Sequence, residues 1–254
     1  MDTNKPLMIP KTIHYCWFGG NKLPKLAKRC IRSWRKYLPD YEIKEWNESN
    51  FDVNINPYVK EAYKVHRYAF MSDYARYWVL YHYGGVYFDT DVELLRSINQ
   101  ILKNGGYMSF ETSPKSKDLY VNPGLGMAME PGHPFLKEML DMYRDLHFIN
   151  PDGTHNLKSI VMYTSEVLIG KGLQKTTDIQ KIDGINIYPK EYFNPYNSET
   201  KKFEITDKTY SIHYFAGSWF TKKERFMRWI ESNFGKQTVN AIHYIYTKII
   251  KVKN

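Results

Sequence analysis

The stretch RYAFMSDYARYWVLYHYGGVYFDTDVE, residues 67–93, constrains the fold more than any other part of the chain. Its first half is too apolar and aromatic for a surface helix, so it must lie largely inside the molecule. Gly84-Gly85 stops that helix, and Val86, Tyr87 and Phe88, β-branched or aromatic, read as a short strand. The strand ends at Asp89 and Asp91. Residues two apart on a strand share a side, so both carboxylates are expected to project together, with Thr90 opposite and Glu93 continuing the same face. Two like charges so close are costly unless a cation sits between them. Oxygen ligands of this kind suit Mg²⁺ or Mn²⁺, held together with the phosphates of a substrate.

Around this stretch, strand-like and helical segments alternate, which predicts an α/β sheet flanked by helices. MIPKTIHYCWFGG (8–20) reads as an opening strand with a glycine turn, LPKLAKRCIRSWRKYL (23–38) as a helix and YEIKEWN (41–47) as a second strand. One helix is expected from about Pro57 to Tyr83, then strands at GYMSFE (106–111) and NPGLGMAME (122–130). Two helical stretches follow, FLKEMLDMYRDL and NLKSIVMYTSEVLIG, then short strands near INIYP and TYSIHYF, and terminal helices. The turn-rich stretch from Asn194 to Lys208 reads as a surface loop.

A chain of 254 residues can bury a substantial core. The expectation is one catalytic domain over 1–220 and a basic amphipathic helical extension over 221–254. The net charge is +9, and the stretch 222–254 alone accounts for +6 of it. There Phe226, Trp229, Ile230, Ile242, Ile245, Tyr246 and Ile249 recur at helical spacing among lysines and arginines. Peripheral contact with an anionic membrane fits that pattern, and plain packing on the domain is the alternative. No nucleic-acid fold signature accompanies the charge. Cys16 and Cys30 lie in neither a metal-type nor a redox-type spacing, which favours a reduced compartment. The opening residues lack the apolar core of a signal peptide, and no stretch approaches the roughly 20 apolar residues of a membrane span. A cytoplasmic enzyme, soluble or held to a membrane surface, is the expectation.

Two enzyme classes place Asp-x-Asp after an apolar strand. FDTDVE resembles the motif of haloacid-dehalogenase-like phosphatases, whose second acidic pair would here be Asp178 with Asp183, without the usual preceding glycine. The other resemblance rests on more of the chain. Residues 67–93 resemble the central signature of glycosyltransferase family 32, the DXD-containing sugar-binding group, and are similar to the glucosylating domain of the large clostridial toxins. IPKTIHYCWFGG and HYFAGSW (213–219) resemble that family's first and last motifs, in the same order. YTSEVL (163–168) departs from it, where relatives tend to carry Thr-Gly-Pro.

The resemblance implies a GT-A type fold and a retaining, metal-dependent transfer of a hexose from a nucleotide sugar, UDP-Gal or UDP-Glc, to a saccharide or lipid-linked saccharide acceptor in surface-polysaccharide synthesis. Mn²⁺ or Mg²⁺ would be held by Asp89 and Asp91, with His213 completing the shell. Asp73 would accept from hydroxyls of the donor sugar, and Arg76 would donate to the sugar or the diphosphate. The three-residue spacing of Asp73 and Arg76 also permits a simple ion pair on one helix face. The resemblance makes Trp17 a platform for the base, Gly19 and Gly20 a close backbone approach, and Ser218 and Trp219 diphosphate contacts. Tyr87 would reach the ribose or phosphate, or else pack in the core. Asn122 would border the acceptor side, or else form a turn before Pro123. A metal-dependent sugar-binding module without turnover is the non-catalytic alternative.

Overall fold

The computed structural model describes residues 9–112, 118–197 and 199–217. Contacts divide the chain into a unit Met1–Tyr214 and a second unit Phe215–Asn254. All elements below belong to the first, and the expected terminal helices, with Ser218 and Trp219, lie outside the described residues.

The first half contains β1 (Thr12–Cys16), α1 (Lys25–Tyr37), β2 (Glu42–Trp46), α2 (Pro57–Lys64), α3 (Tyr68–Tyr83), β3 (Gly85–Tyr87) and β4 (Val92–Leu94). Then come α4 (Asn99–Leu102), β5 (Tyr107–Thr112), β6 (Leu119–Val121), β7 (Met127–Met129), α5 (Pro134–Arg144), α6 (Ile160–Gly170), β8 (Gln180–Ile182) and β9 (Ile185–Tyr188). The last elements are α7 (Lys190–Phe193), β10 (Tyr196–Asn197), β11 (Lys202–Phe203) and β12 (Ser211–His213).

The main sheet is mixed, in the order β2-β1-β3-β7-β5-β9-β8 with β6 paired to β5. β1 runs parallel to β2 and β3, and β5 parallel to β9, while β7 is antiparallel to both neighbours. Side chains alternate across it with period two. Val86, Phe88 and Ala128 join one buried cluster with Ile31 and Trp34 of α1, whereas Tyr87, Met127 and Met129 join another with α2, α3, α5 and α6. Helices therefore cover both faces, as parallel strands require.

Local chemistry sets the helix limits. Asn56 caps α2 by accepting from the Val59 amide, and Pro57 opens its first turn. α1 buries Ala27, Cys30, Ile31 and Trp34, the spacing of one helical face, and ends in Arg35 and Lys36. The helix expected from Pro57 to Tyr83 is two, because His66 takes a left-handed conformation (φ 59°) and turns the chain between α2 and α3. The strand expected over 122–130 is confined to β7, since Pro123–Leu125 form a 3₁₀ turn capped by Asn122. The loop expected between Asn194 and Lys208 contains the small β10–β11 hairpin.

At the start of β3 the packing is tight. A Cβ on Gly85 would lie 2.6 Å from the Thr12 carbonyl, and Gly84 ends α3 with φ 62°. His14 bridges this point: its Nε2 donates to the Gly84 carbonyl (2.9 Å), and its Nδ1 accepts from Trp46 Nε1 (3.0 Å). Both ring nitrogens are committed with the imidazole neutral. Burial pushes its pKa from 6.5 down to about 4; the Gly84 hydrogen bond opposes this and Lys44 adds to it. A depressed histidine contributes stability that is complete above pH 6.5 and lost as pH falls towards 4. We expect about 3 kcal/mol to be lost over that interval. Urea midpoints at neutral pH and near pH 4.5 should fall less in His14→Gln than in the wild type.

Candidate active site

Asp89 and Asp91 do not sit on a strand. β3 stops at Tyr87, and the Val92 amide closes a turn onto the Asp89 carbonyl (3.0 Å), so the carboxylates meet through the turn and not through strand alternation. Glu93, expected on their face, lies on β4 and pairs with Arg29 (3.2 Å). The pull on the pair comes from two other elements. Arg76 of α3 lies 3.2 Å from Asp89 Oδ1, and His213 of β12 lies 3.1 Å from Asp91 Oδ1 and 3.9 Å from Asp89 Oδ2. One ligand atom from each of Asp89, Asp91 and His213 falls within 4.8 Å of the others. That spacing is close enough for the three side chains to share one divalent ion.

Asp73 and Arg76 are buried to 8 % and 4 % exposure, one turn apart on α3, and joined at 3.0 Å. Asp73 also faces the first amide of α6, Ile160, at the positive end of that helix. Burial pushes the Asp73 carboxyl up to about 7, Arg76 pulls it down and Asp89 pushes it up. Burial works against the charge on Arg76, but Asp89, Tyr87 and Asp73 outweigh it and keep the guanidinium protonated. Burial also opposes a charge on His213, yet Asp91 and Asp89 raise its pKa above the ordinary value.

Tyr87 is buried, donates its hydroxyl to Asp89 Oδ1 (3.1 Å) and lies under the Arg76 guanidinium (4.8 Å to the ring centre). Asn122 accepts from the Gly124 amide (2.7 Å) and donates to Glu111 (2.7 Å), so it is a turn former on the wall of the site. Trp17 is half-buried, and its indole N–H donates to the Asn21 carbonyl (2.6 Å). The room a Cβ would need at Gly19 is filled by the Tyr68 ring, 2.5 Å away, whereas Gly20 faces open space. The Gly19 amide donates to Glu48.

Sequence reasoning did not single out Glu111 or Gly124. Glu111 is the penultimate residue of β5, its pKa is raised by burial, and it lies within electrostatic range of His213 and Asp89. Its one signal is an acid at the end of an apolar strand. Gly124 matters through what it lacks: a Cβ there would come within 2.1 Å of Asp89 Oδ2.

Known proteins resemble this chain in sequence and in fold. The family model for the glycosyltransferase sugar-binding region containing a DXD motif matches residues 24–107. A protein of Acanthamoeba polyphaga mimivirus described as an uncharacterized glycosyltransferase is 28 % identical over 225 residues, 84 % of each chain. Inositol phosphoceramide mannosyltransferase 3 of Schizosaccharomyces pombe is 31 % identical over 142 residues, 54 % of this chain but 38 % of that protein. The match therefore spans well under half of this yeast relative. Among solved structures, the PaToxG glycosyltransferase superposes with a TM-score of 0.50 at 17 % identity, over 65 % of this chain and 70 % of its own, a likeness of fold. Fold, motif and relatives define the chain as a glycosyltransferase with a GT-A type fold. More narrowly, residues 24–107 match the sugar-binding region containing the DXD motif, and there the chain is similar to glycosyltransferase family 32.

The phosphatase alternative fails on geometry as well. Asp178 and Asp183 flank β8, the far edge of the sheet, four strand positions from β3 or about 19 Å at the usual spacing. Asp183 is also paired with Lys171 (3.2 Å).

Gly124→Ala tests the cradle around Asp89. Its φ lies outside the left-handed range, so the added methyl acts by displacing the Asp89 carboxylate, and donor turnover should fall by about tenfold or more. Gly170→Ala, which adds a methyl in open space, should leave turnover unchanged.

Proposed function

We propose that the protein transfers a hexosyl group from a nucleotide sugar to a saccharide or lipid-linked acceptor, with retention of anomeric configuration and dependence on Mn²⁺ or Mg²⁺. The observation that carries this reading is the convergence of Asp89, Asp91 and His213 beside the buried Asp73–Arg76 pair. The donor set of two carboxylates and an imidazole favours Mn²⁺ over Mg²⁺. A bound ion would supply Lewis-acid charge to the diphosphate as it leaves.

The chain's own groups have separate tasks. Arg76, fixed by Asp73 and Asp89, donates towards the donor sugar or diphosphate at a place from which water is largely excluded. Asp73 accepts from sugar hydroxyls and orients the ring, and Tyr87 holds the Asp89 carboxylate. Trp17 offers an indole face to the base, and Asn122 with Glu111 walls the acceptor side. Among the described residues no additional carboxylate stands out as a nucleophile, so we favour attack from the face of the departing phosphate, which takes the acceptor's proton. UDP-Gal and UDP-Glc remain the favoured donors. The mannosyltransferase names of the yeast relatives add a mannosyl nucleotide, and their inositol phosphoceramide substrate supports a lipid-linked acceptor. A role in surface polysaccharide is the other acceptor reading, since neither depends on the donor-side geometry.

Nucleoside diphosphate should be released when the protein is incubated with Mn²⁺ and UDP-Gal, UDP-Glc or GDP-mannose. Release should fall by about a hundredfold or more in Asp91→Asn and stop on chelation. Release that survives chelation, or inorganic phosphate as the sole product, would remove the proposal.

Among the described residues no helix is long and apolar enough to cross a membrane. We place the enzyme on the cytoplasmic face, held by the basic stretch 222–254. A chain ending at Asn233 should float with anionic liposomes less than the full chain does.

A further inference from the structure

β4 and β12 form a separate two-stranded sheet of three residues each, a pairing that is marginal by itself. Yet it sets the separation of two of the three candidate ligands. Asp91 immediately precedes β4, His213 ends β12, and Val92 is the register partner of His213. A slip by one residue would turn His213 to the opposite face.

Three side chains lock this register. The Glu93 carboxylate accepts from the Tyr214 hydroxyl (2.5 Å) and pairs with Arg29 of α1 (3.2 Å), whose guanidinium lies over the Tyr214 ring (4.8 Å to its centre). The Tyr214 amide also donates to the Asp91 carbonyl (3.1 Å), which extends the ladder to the metal turn. Alternation puts Glu93 and Tyr214 on the face opposite His213. On the other edge of β4, α1 stands in for a neighbouring strand: Trp34 Nε1 donates to the Val92 carbonyl (2.8 Å), and Ser33 Oγ accepts from the Leu94 amide (2.9 Å).

We propose that Arg29, Glu93 and Tyr214 are positioning residues which fix His213 against the Asp91 turn and thereby set the affinity of the Asp89–Asp91–His213 group for a divalent cation. The proposal rests on the metal-dependent reading given above. Glu93 acts by orientation and not by ligation, since its carboxylate is engaged by Arg29 and Tyr214.

The test is direct binding, independent of turnover. Mn²⁺ is titrated into the full chain and the free aquo-ion followed by electron paramagnetic resonance, for the wild type, Glu93→Gln, Tyr214→Phe and the double variant. Each single variant should weaken Mn²⁺ binding by about tenfold, and the double variant by little more than the worse single, because the groups act as one unit. Near-ultraviolet circular dichroism and the melting temperature identify any variant that has lost its fold, in which case the other single variant decides. Binding within about twofold of the wild type in a folded single variant overturns the clasp. A wild type that takes up no Mn²⁺ overturns the metal-dependent reading and the clasp with it, whereas binding by the wild type with unchanged variants overturns the clasp alone.

Discussion

The structure depends on one electrostatic problem: Asp89 and Asp91 are held side by side on the turn that follows a buried strand. Arg76 answers from α3 and His213 from β12, each about 3 Å from one carboxylate. Because Arg76 and its partner Asp73 are themselves buried, α3 has to pack against the sheet at a fixed depth and rotation. An arginine withdrawn from water without its carboxylates would be strongly destabilising. The position of α3 is thus set by charge as well as by its apolar surface.

The backbone around the pair is arranged for close approach. Gly85 lets β3 pass the Thr12 carbonyl, and His14 joins β1, β2 and the end of α3 through a neutral imidazole. Gly124 leaves room for the Asp89 carboxylate, and the Asp89 amide returns a bond to the Gly124 carbonyl (3.2 Å). The wall formed by Asn122 and Glu111 is continuous with that turn. Sheet, turn and wall form one hydrogen-bonded piece, which suits a site that must hold a charged leaving group without rearrangement.

Much of this was legible in the residues. The apolar helix, the glycine stop and the aspartate pair predict a buried helix leading to a strand with two carboxylates on one face, and alternation of elements predicts the α/β sheet; the carboxylates do meet, but on a turn beyond the strand. The ends of elements were less legible. His66 divides one expected helix into two, and Asn122 with Pro123 converts the start of an expected strand into a 3₁₀ turn, because local side-chain bonds and backbone conformations override apolar runs. Glu93 followed the period of a strand on paper, but the intervening turn breaks that period and hands it to Arg29 and Tyr214.

By itself the sequence determined the chemistry available: two carboxylates in a fixed local relation, an arginine one helical turn from an aspartate, and a histidine in a late apolar segment. These are short-range facts, settled by periodicity and side-chain type. Only the tertiary structure decided that His213, more than a hundred residues downstream, meets Asp91, that Gly124 cradles Asp89, and that α1 supplies the missing edge of β4. Those contacts follow from strand register and the packing of helices on opposite sheet faces. Both are long-range, since each is selected by the burial and charge of the whole molecule and by no local stretch of it.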